Sequence, residues 1–301
     1  MRKKILRLVK WTGSKARVVS VLVPLFPKGK KYIEPFAGSA ATFLNNEQRY
    51  DTEILCELDK DLAMLHKVLS DERQTEMLYN HLKRVYASAA MFQYAKENLK
   101  YNGTLSDVER AVYKFIEIQL SFNGQGKNYS SSQTAEKFRQ CVEKIPDIAK
   151  RYHGVQVVYG DGIELIQREC MDENTFIFAD PPYLPELRGL KTIYACEMTQ
   201  ERHIYMLSVM KKAKCKIMLC GYADEKGEDL YDQELLPAGW RRYKVADLTQ
   251  SCQSNGYKTK RNVASEFVWI NYDLPSDAKN YIDVSDCLEW KSNNNEKRMT
   301  A

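Results

Sequence analysis

Apolar residues in this chain come in two spacings. Short continuous runs bounded by Gly, Pro or Asp recur at 31–36, 53–58, 155–159, Thr175–Ala179 and 216–220. Runs of this kind predict strands buried on both faces of a parallel sheet. Two later runs, 241–248 and 265–272, predict a terminal antiparallel pair. Helical spacing lies between the strands. Residues 40–45 follow the first run, and Lys60–Leu69 follows the second with Leu62, Leu65 and Leu69 on one face. Residues 199–213 follow the fourth run, with Thr199 as N-cap and Glu201 and Arg202 in the first turns. Strands alternating with helices predict a doubly wound α/β sheet. Ligands of such sheets bind beyond the carboxyl ends of the strands.

The alternation breaks between 62 and 150. That block is rich in Ala, Glu, Lys, Tyr and Leu and reads as a helical insertion, clearest over 111–122. A polar loop follows at 123–132. The chain therefore divides into a catalytic part at 1–61, a helical domain at 62–150, a second catalytic part at 151–288 and a tail at 289–301. No internal repeat is visible.

Composition changes the picture little. The 301 residues are 44% hydrophobic and 28% charged, an ordinary globular balance. No run approaches the roughly 20 apolar residues that span a bilayer, so no membrane partner is expected. The short apolar stretch at 18–26 holds Pro24 and lacks a cleavage site, so a cytoplasmic location is expected. Charge is more informative. The net charge is +5, yet residues 1–33 carry ten Lys/Arg and no acid, leaving 35 basic against 40 acidic residues elsewhere. A basic segment on a mildly acidic body suggests an anionic partner nearby, although a solvated arm would look the same.

The eight cysteines, Cys56, Cys141, Cys170, Cys196, Cys215, Cys220, Cys252 and Cys287, are scattered without a CxxC pair. A disulfide framework is not expected. Cys215, Cys220 and His203 match no common zinc spacing, so no metal is expected either.

Three segments carry chemistry. Asp180-Pro181-Pro182-Tyr183 directly follows the strand Thr175–Ala179. Two prolines fix an extended backbone that continues neither strand nor helix. One carboxylate, one ring and unpaired carbonyls therefore stand at the sheet edge. This set suits methyl transfer to an exocyclic amine. The lone pair of adenine N6 is delocalised into its ring. Acceptors for the amino hydrogens, the Asp180 carboxylate and the Pro181 carbonyl, favour a more tetrahedral and nucleophilic nitrogen. Tyr183 would stack on the base. A rigid strand end with no ligand is the competing reading.

The second segment, 32–44, is a strand, a tight turn at Gly38 and an apolar helix. It lacks GxGxxG and GxxxxGK[ST], which disfavours NAD and a P-loop. The next strand ends in Glu57 and Asp59, either of which could hydrogen-bond ribose hydroxyls. The third segment, Lys10-Trp11-Thr12-Gly13-Ser14-Lys15, offers a ring and a cation, and alone it would read as a basic arm.

In this order the segments resemble the Dam-like family of S-adenosylmethionine-dependent DNA adenine-N6 methyltransferases. The family pattern KWxGGK, EPFxGxG, an acidic second-strand segment, a helical target-recognition region, DPPY and a strand like LWINY reads here as residues 10–15, 34–40, 57–62, 62–150, 180–183 and 268–272. The match spans nearly the whole chain. The resemblance implies a seven-stranded, mostly parallel, Rossmann-like methyltransferase sheet with a helical target-recognition insertion. It implies cofactor contacts from Trp11, Lys15, the turn Glu34, Pro35, Phe36, Ala37 and Gly38, and from Glu57, Asp161 and Asp180. Residues 121–128 are similar to the family's FNG segment, implicated in substrate recognition. Ser14 and Ala40 replace family glycines, and Glu57 replaces Asp; a methyl at Ala40 would crowd the cofactor. The chain after Tyr183 departs from the best-known members, so their target sequence does not carry over.

The activity so implied is site-specific methylation of adenine flipped out of double-stranded DNA. Candidate nucleic-acid contacts are Asn123, Lys127, Asn128, Arg139 and Arg188. Arg2, Lys3, Lys4 and Arg7 remain available to phosphates. A cognate restriction endonuclease acting on the same site is a candidate partner, in a bacterial or phage-infected cell. Two competing readings stand: an N4-cytosine or RNA amino-methyltransferase, and a non-catalytic nucleic-acid-binding module. The DPPY spelling and the large insertion favour DNA adenine.

Overall fold

Continuous apolar runs become strands in the computed structural model, which describes residues 5–184, 197–223, 229–249 and 263–289. The chain forms two compact units. One comprises residues 5–19 and Lys31–Leu165; the other comprises Ser20–Lys30 and the described residues from 166 onward.

In the first unit, β1 (Lys31–Glu34), β2 (Thr52–Glu57) and β3 (Gln156–Tyr159) run parallel with β2 in the middle. Tyr32 and Ile33 in β1 and Leu55 and Cys56 in β2 are fully buried. Parallel strands share one carboxyl edge, so the turns after Glu34, Glu57 and Tyr159 meet there. Between β2 and β3 lie six α-helices, from Lys60–Leu69 to Ile145–Tyr152. Leu62, Leu65, Leu78, Phe92, Phe115 and Ile116 form their core.

The longest of these helices, Asp107–Leu120, begins before the 111–122 reading. Ser106 and Glu109 form a reciprocal capping box that satisfies two backbone donors. It ends at Leu120 because Ser121 turns extended, leaving Phe122 outside and exposed. Lys114 on this helix pairs with Asp59 (2.8 Å) and Glu117 (3.0 Å), and Arg110 with Asp61 (2.6 Å).

In the second unit, β4 (Thr175–Ala179) and β5 (Lys216–Tyr222) run parallel. β7 (Val263–Ile270) lies antiparallel between β5 and β6 (Arg241–Thr249). The two-residue β8 (Cys287–Leu288) pairs with β6, making eight described strands rather than seven. The predicted antiparallel pair is thus β6–β7. Helix Gln200–Met210 carries Thr199 as its N-cap, as the sequence predicts. Trp269 is fully buried and donates to Asp232 (2.9 Å), which also pairs with Arg242 (2.5 Å). Burial and the neighbouring Asp229 push the Asp232 carboxyl upward, and Arg242 opposes them.

Among the described residues no helix is long and apolar enough to cross a membrane, and no cluster of three metal-ligating side chains occurs.

Candidate active site

The turn after β1 is fixed from several sides. Glu34 is buried, and its Oε1 accepts from the Tyr32 hydroxyl and from Thr42 Oγ1 (2.5 Å). Burial and the Glu34 charge raise the Tyr32 phenol well above its usual range, so it stays a donor. Pro35 is buried and Phe36 half-buried. The Ala37 N–H donates to the Cys56 carbonyl at 3.0 Å. Gly38 is left-handed (φ 50°), and a Cβ there would stand 2.8 Å from Trp11 Nε1. Trp11 therefore lies directly over the turn, half-buried.

Ala40 is also left-handed (φ 49°, ψ 36°), a conformation costing roughly 1–2 kcal/mol for an L-residue. It is 0% exposed. Its methyl is enclosed within the protein, so what the replaced glycine costs here is backbone strain.

Glu57 is the hub of the edge. Its Oε2 accepts from the Gly38 N–H (2.8 Å), and its Oε1 from the N–H groups of Leu58 (3.0 Å) and Asp59 (3.2 Å). Burial nonetheless raises its carboxyl above the ordinary range, because those bonds only partly offset desolvation. Asp59 has a different task. Its Oδ1 caps the helix Lys60–Leu69 through Asp61 (2.9 Å) and Leu62 (3.1 Å), while Oδ2 holds Lys114. Of the two acids left open by the sequence, Glu57 is the one at the turn.

At the end of β3, Asp161 is half-buried, and its Oδ1 accepts from the Ile163 N–H at 2.9 Å. A Cβ on Gly162 would meet the Pro35 carbonyl oxygen at 2.2 Å and Phe36 Cε1 at 2.8 Å. Only glycine lets these two turns touch.

The basic N-terminal segment docks on the same edge. Ser14 Oγ and Ser39 Oγ are 2.8 Å apart, so the serine replacing a family glycine links residues 10–15 to the Gly38 turn. Lys15 is buried and its Nζ donates to the Gly13 carbonyl (3.2 Å). Thr12 Oγ1 donates to the Asn123 carbonyl at 2.8 Å. Gly124 (φ 72°) packs so closely on Lys10 that a Cβ would be 1.9 Å from the Lys10 oxygen. The segment at 121–128 is thus joined to the segment holding Trp11.

The other nucleic-acid candidates differ in setting. Lys127 and Asn128 are exposed, and their carbonyls accept from Lys96 Nζ (2.8 Å) and the Phe122 N–H (2.8 Å). Arg139 is exposed on helix Ala135–Val142 and pairs with Glu136 and Glu143, which offsets its charge. Arg188 lies outside the described residues, as do Arg2, Lys3 and Lys4.

In the second unit, Asp180 is half-buried just past β4, Pro181 is buried and Pro182 half-buried. The Tyr183 hydroxyl donates to Glu266 Oε1. Its ring meets the Tyr222 ring edge-on, with centroids 4.7 Å apart and planes at 71°. Burial, then the Asp180 and Glu266 charges, raise the Tyr183 phenol far above its normal range. Tyr222 and Glu266 are cross-strand partners on β5 and β7, so the sheet itself aims this anchor. Glu266 is 1% exposed. Sequence reasoning missed it, as it missed His66 beneath the Gly38 turn.

Residues 11–245 match the model of the D12 class N6 adenine-specific DNA methyltransferases. The type II methyltransferase M.CviBI of Paramecium bursaria Chlorella virus NC1A is 23% identical over 232 residues, covering 75% of this chain and 86% of that protein. The DNA adenine methylase of Haemophilus influenzae is 25% identical over 272 residues, covering 85% and 92%. The type II methyltransferase M.MjaIII of Methanocaldococcus jannaschii is 25% identical over 202 residues, covering 59% and 68%. Matched over most of its length, and carrying Asp180–Tyr183 at the end of a parallel strand, the chain belongs to the D12 class of N6 adenine-specific DNA methyltransferases.

Proposed function

We propose that the methyl donor is S-adenosylmethionine and that it binds at the carboxyl edge of β1, β2 and β3. The convergence of Glu57, Asp161, Trp11 and the Gly38 turn on that edge carries this reading. The residues fit the group. Glu57 is a half-buried acceptor with lone pairs beyond its three backbone bonds, suited to ribose hydroxyls. Asp161 is a second acceptor, for an adenine amino group. Trp11 and Phe36 supply partly exposed rings for the base or the cationic sulfonium. When bound, this cofactor supplies an electrophilic methyl on a cationic sulfur.

In the same proposal the second unit activates the acceptor. The Asp180 carboxylate and the Pro181 carbonyl take the amino hydrogens of a flipped adenine, which makes N6 more nucleophilic. Tyr183, which is 5% exposed in this structure and held by Tyr222 and Glu266, is the proposed ring for the base to lie against. Asn123, Lys127 and Asn128 meet the DNA, with Arg139 and Arg188 as further candidates. A restriction endonuclease reading the same site is the proposed partner, supported by the two relatives named type II methyltransferases. The cytoplasm of a bacterial or phage-infected cell is the proposed setting.

Calorimetry with S-adenosylhomocysteine tests the cofactor half. Wild type is expected to bind, and Glu57→Gln to bind about tenfold more weakly, since a charged acceptor is worth about 1.5–3 kcal/mol. Equal binding by both proteins would remove Glu57 from the site.

A further inference from the structure

His66 lies beneath the Gly38 turn, on helix Lys60–Leu69, and is 0% exposed. Both ring nitrogens are engaged. Nε2 is 2.9 Å from the Gly38 carbonyl oxygen, and Nδ1 is 2.8 Å from the Tyr152 hydroxyl. A carbonyl only accepts, so Nε2 carries the proton and the Tyr152 hydroxyl donates to Nδ1. Burial holds the imidazole neutral, with its pKa down to about 4. Tyr152 is also fully buried and stacks on the imidazole, centroids 5.9 Å apart. The pair is rigid.

The bond decides which way a peptide faces. Gly38 holds a left-handed conformation, and glycine permits its neighbouring peptides to turn over more readily than any other residue. Its N–H is held by Glu57 and its carbonyl by His66. In a trans peptide the carbonyl and the next N–H point to opposite sides. With the Gly38 oxygen on His66, the Ser39 N–H points away from His66. A flipped peptide would reverse that polarity and leave the imidazole N–H buried without a partner, which disfavours the flip.

We propose that His66 is a positioning residue for methyl-donor binding: it fixes the Gly38–Ser39 peptide so that the turn presents an N–H, and not a carbonyl, on the side away from His66. The inference rests on the reading that this turn holds S-adenosylmethionine.

The test is calorimetric titration of the full chain with S-adenosylhomocysteine. His66→Leu is expected to weaken binding about tenfold, while kcat at saturating cofactor stays within about threefold. His66→Gln, whose amide N–H reaches the same carbonyl, is expected to recover most of the affinity. Tyr152→Phe removes the other hydrogen bond and should lower the melting temperature with Kd within about threefold. Should His66→Leu fail to fold, His66→Asn, too short to reach Gly38, replaces it in the comparison with His66→Gln. An unchanged Kd in the leucine or asparagine variant, with a lower melting temperature, would reduce His66 to a packing residue while leaving the cofactor reading intact. Wild type that does not bind S-adenosylhomocysteine would sink that reading and this inference with it.

Discussion

Asp180→Ala is expected to lower kcat for methyl transfer by at least about 10²–10³-fold, the scale for losing a group that acts on charge developing at the reacting atom. The adenine amino group is a weak nucleophile because its lone pair belongs to the ring. Asp180 stands at the end of β4, where Pro181 and Pro182 prevent the strand from continuing and leave the carboxylate at the edge. Truncating it removes an acceptor for an amino hydrogen without opening the core, since the side chain is only half-buried. Stability should change by no more than about 1 kcal/mol. Single-turnover transfer, measured beside thermal unfolding, separates the two effects. A kcat close to wild type would remove Asp180 from the chemistry.

The second large effect belongs to a glycine. Gly162→Ala places a Cβ 2.2 Å from the Pro35 oxygen, and that oxygen sits on backbone, which cannot swing aside. The Glu34–Gly38 turn must move by about an ångström, a misplacement able to cost about 10²-fold in rate. Overpacking adds a stability loss of about 1–3 kcal/mol. Gly160→Ala is the matched control. Two residues upstream, its Cβ would meet only Val158 Cγ1, at 3.7 Å, which is ordinary contact. It is expected to change stability by less than about 0.5 kcal/mol. Measuring melting temperature and cofactor affinity for both variants checks the claim. Equal tolerance of the two alanines would show that the turns do not need their close approach.

Much of the fold is legible in the sequence because the strands are continuous apolar runs. Thr175–Ala179 is read to the residue, since every side chain in it is buried and Asp180 with two prolines ends it. Lys60–Leu69 is equally plain, with Leu62, Leu65 and Leu69 facing the core. The start of Asp107–Leu120 was visible in principle, because Ser106-x-x-Glu109 is a capping box. The two-residue β8 has no run long enough to read.

The candidate site is legible as motifs and not as partners. Glu34, Gly38, Glu57 and Asp180 stand out by their neighbours in sequence. His66 and Glu266 do not. His66 reaches Gly38 and Tyr152, 28 and 86 positions away, and in sequence it is one polar residue in a leucine-rich helix. Glu266 is a lone acid beside Ser265 at the start of the apolar run 267–270, yet it is 1% exposed and holds Tyr183 from 83 positions away. Ser14 reads as a tolerated stand-in for glycine, and its bond to Ser39 needs the folded turn. Local pattern carries secondary structure; side-chain partnership across the chain does not follow from it.

The central claim is that this chain transfers a methyl group from S-adenosylmethionine to adenine N6 in duplex DNA. The most direct measurement incubates the full chain with methyl-labelled S-adenosylmethionine and either duplex DNA or RNA, then digests the product to nucleosides. The predicted result is label in N6-methyladenosine's deoxy form from DNA alone. Label in N4-methylcytosine, label in RNA, or no transfer to any nucleic acid would contradict it.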